Sequence, residues 1–132
     1  MSKYMSFESE TFANSGLLVD ALNHFGFETV TQGDDLALEG WDKRDIRRAD
    51  IVIRRADVKK YHLLGDIGFQ RTAKGYVAVI DDMDLNYQLG RDFVTRLQTN
   101  YYEAAARKMT KTLGGHLIRE QIGKTIKIRI KY

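Results

Sequence analysis

Apolar and polar residues alternate at the start of the chain. Across Lys3–Phe12, Tyr4, Met5 and Phe7 precede polar Glu8 and Glu10, which predicts a first strand. The period then becomes helical. Leu17, Leu18, Ala21, Leu22 and Phe25 share one face, Asn14 or Ser15 can cap the start, and Gly26 can supply the left-handed end. "FETVT" and "LALEG", on either side of "QGDD", predict a hairpin. Gly40–Ala49 is a charged connector without an apolar period. In "ADIVIRR", Ile51 and Ile53 face one way, so a short strand is expected there. "DIGFQR" is a further strand, "TAKG" a turn, and "YVAVI" a strand apolar on both faces, as a central strand is.

A long helix follows. Leu89, Phe93, Leu97, Tyr101, Ala105, Met109 and Leu113 repeat every four residues, a stripe suited to covering a sheet. Asp92/Arg96 and Glu103/Arg107 are supporting i,i+4 pairs. Gly114 and Gly115 end the helix. "HLIREQ", "IGK" and "TIKIRIKY" then form a last hairpin, with Ile126, Ile128 and Ile130 inward and Lys127, Arg129 and Lys131 outward. Lysine and arginine along a terminal strand also guard against edge-to-edge aggregation. The string of helix, glycine, strand, turn and strand occurs at Gly16–Leu38 and again at Gly90–Ile130. The fold expected is α+β, a mainly antiparallel sheet with two helices on one face, built from two βαββ-like halves.

The 132 residues fit a single domain, 1–132. Without cysteine, neither disulfides nor zinc–thiolate sites are available. No apolar run reaches the roughly 20 residues of a membrane span, and the N-terminus lacks a signal-peptide core, so a cytoplasmic protein without a membrane partner is expected. The net charge of +3 permits an anionic partner without demanding one.

The blocks "ADIVIR", "GDIGFQR", "GYVAVID" and "DFVTRLQTNYYEAAARKM" resemble those of the hypothetical chloroplast open reading frame 35 family. The opening "MSKYMSF…LLVDALNHFGF" is similar to that family's first strand and helix, and Gly40-Trp41 sits where the family shows Gly-Tyr. The chain departs from the pattern at Lys43–Arg48 and at "VKKYHLL". The resemblance covers nearly the whole chain and implies a small α+β domain of plastids, cyanobacteria, other bacteria and some phages. It transfers no mechanism. Its gene neighbours, an AAA+ ATPase and a ferredoxin, suggest an adaptor.

Four features carry candidate chemistry. Asp81, Asp82 and Asp84 form an acidic tip that suits magnesium and phosphoryl chemistry. Alternation sends Asp81 and Asp82 to opposite faces and no phosphate loop lies nearby, so Asp82 or Asp84 is expected to cap the long helix instead. The segment 40–61 holds Arg44, Arg47, Arg48, Arg54, Arg55, Lys59 and Lys60, with Trp41 and Tyr61 able to stack on bases. Aspartates dilute that field, and the alternative is a solvated connector with weak ion pairs. His24, His62 and His116 match no metal spacing. The outward Lys127, Arg129 and Lys131 would extend the basic surface.

No nucleophile motif or acid–base set converges in the sequence. The reading is a non-catalytic binding or adaptor module for a protein partner, with no cofactor and no metal, using Trp41 through Tyr61 as its candidate surface. The alternatives are nucleic-acid binding through 40–61 and a metal-dependent enzyme using 81–84.

Overall fold

Asn14 fixes the start of the first helix. Its side chain accepts a hydrogen bond from the Leu17 N–H at 3.0 Å, and α1 runs Ser15–Phe25 from there. Gly26, with φ 119°, ends it in the left-handed region that a side chain would resist. The computed structural model describes residues 2–113, 116–122 and 125–131, with residues 9, 10, 113 and those beyond it as backbone only.

The strands are β1 Tyr4–Phe12, β2 Thr31–Leu38, β3 Arg47–Ile53, β4 Ile67–Thr72 and β5 Gly75–Asp81. They form one sheet in the order β1-β5-β4-β3-β2, every neighbouring pair antiparallel. After β5 come a helical turn at Asp82–Asp84, a π-helical turn at Leu85–Leu89 and the long helix α2, Phe93–Leu113. The strands β6 His116–Ile122 and β7 Thr125–Lys131 pair as a separate two-stranded sheet. The directions expected for Ile126, Ile128, Ile130, Lys127, Arg129 and Lys131 lie outside the described residues.

The α+β class and the placement of both helices on one face are as expected. Phe12, Ile51, Ile53, Ile67, Phe69, Ala78 and Ile80 pack under α1 and α2 in one apolar cluster. Edge-to-face rings tie its layers: Phe12 to Tyr101 at 5.4 Å and Phe25 to Phe93 at 4.9 Å. The opposite face carries a smaller cluster of Tyr4, Leu38, Ala49, Val52 and Val79. No helix among the described residues is long and apolar enough to cross a membrane.

Three local expectations change. The hairpin predicted at "QGDD" is a single strand, β2, whose register shifts between Gln32 and Leu36. Asp35 takes φ 56° there, and the Asp50 carboxylate of β3 accepts from the Asp35 N–H at 3.1 Å, so turn chemistry makes a bulge instead. The order βαββ still occurs twice, as β1–α1–β2–β3 and β5–α2–β6–β7, but the first hairpin is β2–β3.

The second change is at the start of the long helix. Leu89 belongs to the π-helical turn, because Gly90 (φ 97°) breaks the helix before Phe93. The third is its stripe. Phe93, Leu97, Tyr101 and Ala104 are buried, whereas Met109 is exposed. Positions four apart advance about 40° per step on a 3.6-residue helix, so the stripe leaves the core after Tyr101. Asp92–Arg96 and Glu103–Arg107 pair as expected, at 3.2 and 3.9 Å.

Candidate functional site

Residues 39–46 connect β2 to β3 and form a strap between the two edge strands of the sheet. It starts beside Tyr4 of β1, whose ring leaves no room for side chains at two glycines. A Cβ at Gly40 would lie 2.7 Å from Tyr4 Cε2, and one at Gly65 would lie 2.6 Å from Tyr4 Oη. The Tyr4 hydroxyl donates to the Asp66 carbonyl at 2.9 Å, and a longer bond reaches the Glu39 carbonyl at 3.3 Å. Burial, then nearby carboxylates led by Asp66, hold that phenol above its ordinary pKa. Farther along, the Asp45 carboxylate accepts the Tyr4 N–H at 3.0 Å. Arg47 closes the crossing by donating to Ser6 Oγ.

Asp66 is the centre of this construction. It is buried, and its carboxylate accepts from the Glu39 N–H at 2.9 Å, the Arg55 N–H at 2.8 Å and the Arg54 guanidinium at 2.9 Å. Asp66 pins the strap at Glu39, and the Asp45–Tyr4 bond pins its other end. The strap still presents two large apolar side chains, Trp41 at 65% and Ile46 at 67% exposure. Ile46 had no apolar period to mark it in the sequence. Asp66 looked like a strand-end residue, and only the folded chain brings its three donors together.

The basic residues of the segment separate into distinct environments. Arg44 is exposed and bonds Asp42 two residues away at 3.3 Å. Arg48 donates to the Asp35 carbonyl. Arg54 and Arg55 turn inward: Arg54 to Asp66 and the Ala37 carbonyl, Arg55 to the Leu64 carbonyl at 2.9 Å. Lys59 and Lys60 lie on the β3–β4 connection, with Lys60 Nζ 5.4 Å from the centre of the Tyr61 ring. Trp41 and Tyr61 therefore sit on different connections.

The acidic tip is a set of backbone anchors. Asp81 caps the turn at Asp82–Asp84, accepting from the Met83 and Asp84 N–H groups, and the Ser2 hydroxyl donates to it. Asp82 accepts the Lys3 N–H at 3.0 Å. Asp84 accepts from Leu64 N–H at 2.8 Å and Gly65 N–H at 3.1 Å. The cap expected for the long helix from Asp82 or Asp84 is thus replaced by Asp81 on a separate turn, because Gly90 starts the long helix afresh. Among the described residues, no three His, Asp or Glu side chains are grouped to hold a metal ion.

Burial raises the pKa of both Asp81 and Asp84, partly opposed by their backbone N–H partners. A carboxyl whose folded pKa is raised binds its proton more readily when folded. Its stabilising contribution is full below the ordinary carboxylate value of about 3.9 and is lost as pH rises through the raised value. Replacing Asp84 by Asn removes that titration. The stability advantage of the wild type over Asp84→Asn is therefore expected to widen as pH falls from neutral toward about 4. Urea unfolding across that range reads it, and a gap that narrows on acidification contradicts the assignment.

Both edge strands are irregular. β1 shifts register between Phe7 and Thr11, and β2 between Gln32 and Leu36. Such bulges blunt an edge against strand addition.

The model of a family described as protein of unknown function (DUF1257) matches residues 21–130. No curated protein and no solved structure matches.

Proposed function

The chain belongs to that family of unknown function, and we propose that it is a non-catalytic binding module that engages a protein partner through its strap. The observation that carries this reading is the exposure of Trp41 and Ile46 on a loop fixed at both ends. Tryptophan and arginine dominate the energetics of protein interfaces, and Arg44 stands on the same loop. A loop already held by Asp66 and Asp45 gives up little conformational freedom on docking. The carboxylates of 81–84 are engaged by backbone groups, which weakens the metal-dependent alternative. Kinship with hypothetical chloroplast open reading frame 35, an adaptor role and a cytoplasmic setting belong to the same proposal.

The nucleic-acid alternative has fewer cations than the sequence offered. With Arg54 and Arg55 turned inward, Arg44, Arg47 and Arg48 are the arginines left near the strap. With the exposed Lys43 of the strap they offer four phosphate contacts, which predict a log–log salt slope of about −3 on single strands, at ~0.7 per contact. Affinity capture separates the readings. A protein enriched by the wild type is expected to fall at least about tenfold with Trp41→Ala/Ile46→Ala, the size of one lost interface anchor, while the variant stays folded. Equal recovery by both proteins contradicts the strap as the contact surface. A nucleic-acid complex with the predicted salt slope and no protein partner favours the alternative.

A further inference from the structure

A second concave feature lies away from the strap. The chain between α1 and β2 and the chain between β3 and β4 enclose a cleft of about 430 Å³, and none of residues 39–46 lines it. That volume falls in the range of small-ligand sites, about 300–1,000 Å³. Its apolar wall is aromatic. The rings of Phe25 and Phe27 are stacked with centroids 5.8 Å apart and 3° between planes, and Tyr61 lies 6.4 Å from Phe27.

The rim is polar and has direction. On one side are Glu28 and the C-terminal end of α1, which carries partial negative charge. On the other are Lys59 and Lys60, with Asp57 beside them. Both lysine side chains are exposed and have no ion pair among the described residues. The inward turn of Arg54 and Arg55 leaves these two as the outward cations of the β3–β4 connection, Lys60 lying over the Tyr61 ring.

We infer that this cleft binds a planar aromatic anion of the nucleotide class. The base would lie against the half-buried Phe25 and Tyr61 rings, with buried Phe27 packed behind them. Its anionic phosphate would meet Lys59 and Lys60. The hydrogen-bond donors at the far end, an exocyclic amine or sugar hydroxyls, would face Glu28 and the α1 carbonyl end. A ligand without an anionic tail leaves the lysines unused, and one without a ring leaves the aromatic wall unused. The inference goes beyond the strap and does not depend on it.

The test is titration of the intact, isotope-labelled protein with adenosine monophosphate, followed by amide chemical shifts. Saturable shifts are expected at residues 25–29 and 56–61. Lys59→Ala/Lys60→Ala, a pair of surface changes, should weaken binding at least about tenfold, the loss of one charge-assisted contact or more. Tyr61→Ala should weaken it as well, and Trp41→Ala should leave it unchanged. Adenosine and inorganic phosphate should each bind more weakly than the nucleotide. The inference is overturned by the absence of saturation, by unchanged affinity in the lysine variant, or by inorganic phosphate matching the nucleotide. Tighter binding of zwitterionic phenylalanine also overturns it, because the cleft would then be an amino-acid site.

Discussion

Asp66→Ala is expected to lower stability by about 3 kcal/mol, the low end of the range for breaking a buried charged pair, because the Arg54 side chain is 33% exposed. The carboxylate is 1% exposed and serves three donors at 2.8–2.9 Å. Deleting it removes the acceptor of the part-buried Glu39 and Arg55 N–H groups, each worth less than the roughly 1–3 kcal/mol of a fully buried donor left unpaired. Arg54 then keeps the Ala37 carbonyl as a partner of its guanidinium. Such a loss is a large part of the roughly 5–15 kcal/mol that a domain of this size holds in reserve. Asp66→Asn should cost less. Its carbonyl oxygen can still accept on one side, while its amide group faces donors on the other. Urea unfolding measures both, and a loss below about 1 kcal/mol for Asp66→Ala contradicts the central place given to this carboxylate. Because Glu39 opens the strap, the same variant should also release the strap's first anchor.

The second large effect is in the core. Leu97→Ala is expected to cost about 2–5 kcal/mol, the transfer of the lost atoms plus the cavity they leave. Leu97 is fully buried, one turn from Phe93 and one turn from Tyr101. Those neighbours are held by their own ring contacts, Phe93 with Phe25 and Tyr101 with Phe12. The surroundings therefore have little room to collapse into the cavity, which favours the upper part of the range. Leu97→Met keeps the volume and should cost less than about 1.5 kcal/mol. Equal losses for Met and Ala would place the effect outside packing.

What the sequence revealed about the fold follows from how local each decision is. The β4–β5 hairpin was legible because its turn and both its strands lie within a few residues, with Gly75 supplying φ 135°. The α1 helix was legible because Asn14 and Gly26 act on their own neighbours. β2 was misread because Gly33, Asp34 and Asp35 suit a turn and a bulge equally well. The decision rests with Asp50, which holds both the Asp35 and the Arg71 N–H groups from another strand. Gly90 was missed as a break because Leu89 continued the four-residue spacing into the turn before it.

The candidate site divides in the same way. Trp41 was visible as an aromatic residue in a charged connector, where no core pattern claimed it. Arg54 and Arg55 looked equivalent to Arg44, since charge alone does not reveal direction. Their partners, Asp66 and the Leu64 and Ala37 carbonyls, are 9 to 17 residues away in sequence. Tyr61 and the lysines beside it were visible as a group. The wall that Phe25 and Phe27 set against them comes from the end of α1 and could not be placed from spacing.

Trp41 is the protein's single tryptophan, so its fluorescence reports on the strap alone. The most direct measurement is its emission and its quenching by a soluble quencher, with and without the captured partner. Binding through the strap predicts a blue shift and protection from quenching as the 65% exposed indole leaves water. A partner that co-elutes with the protein while Trp41 emission and quenching stay unchanged would contradict the account.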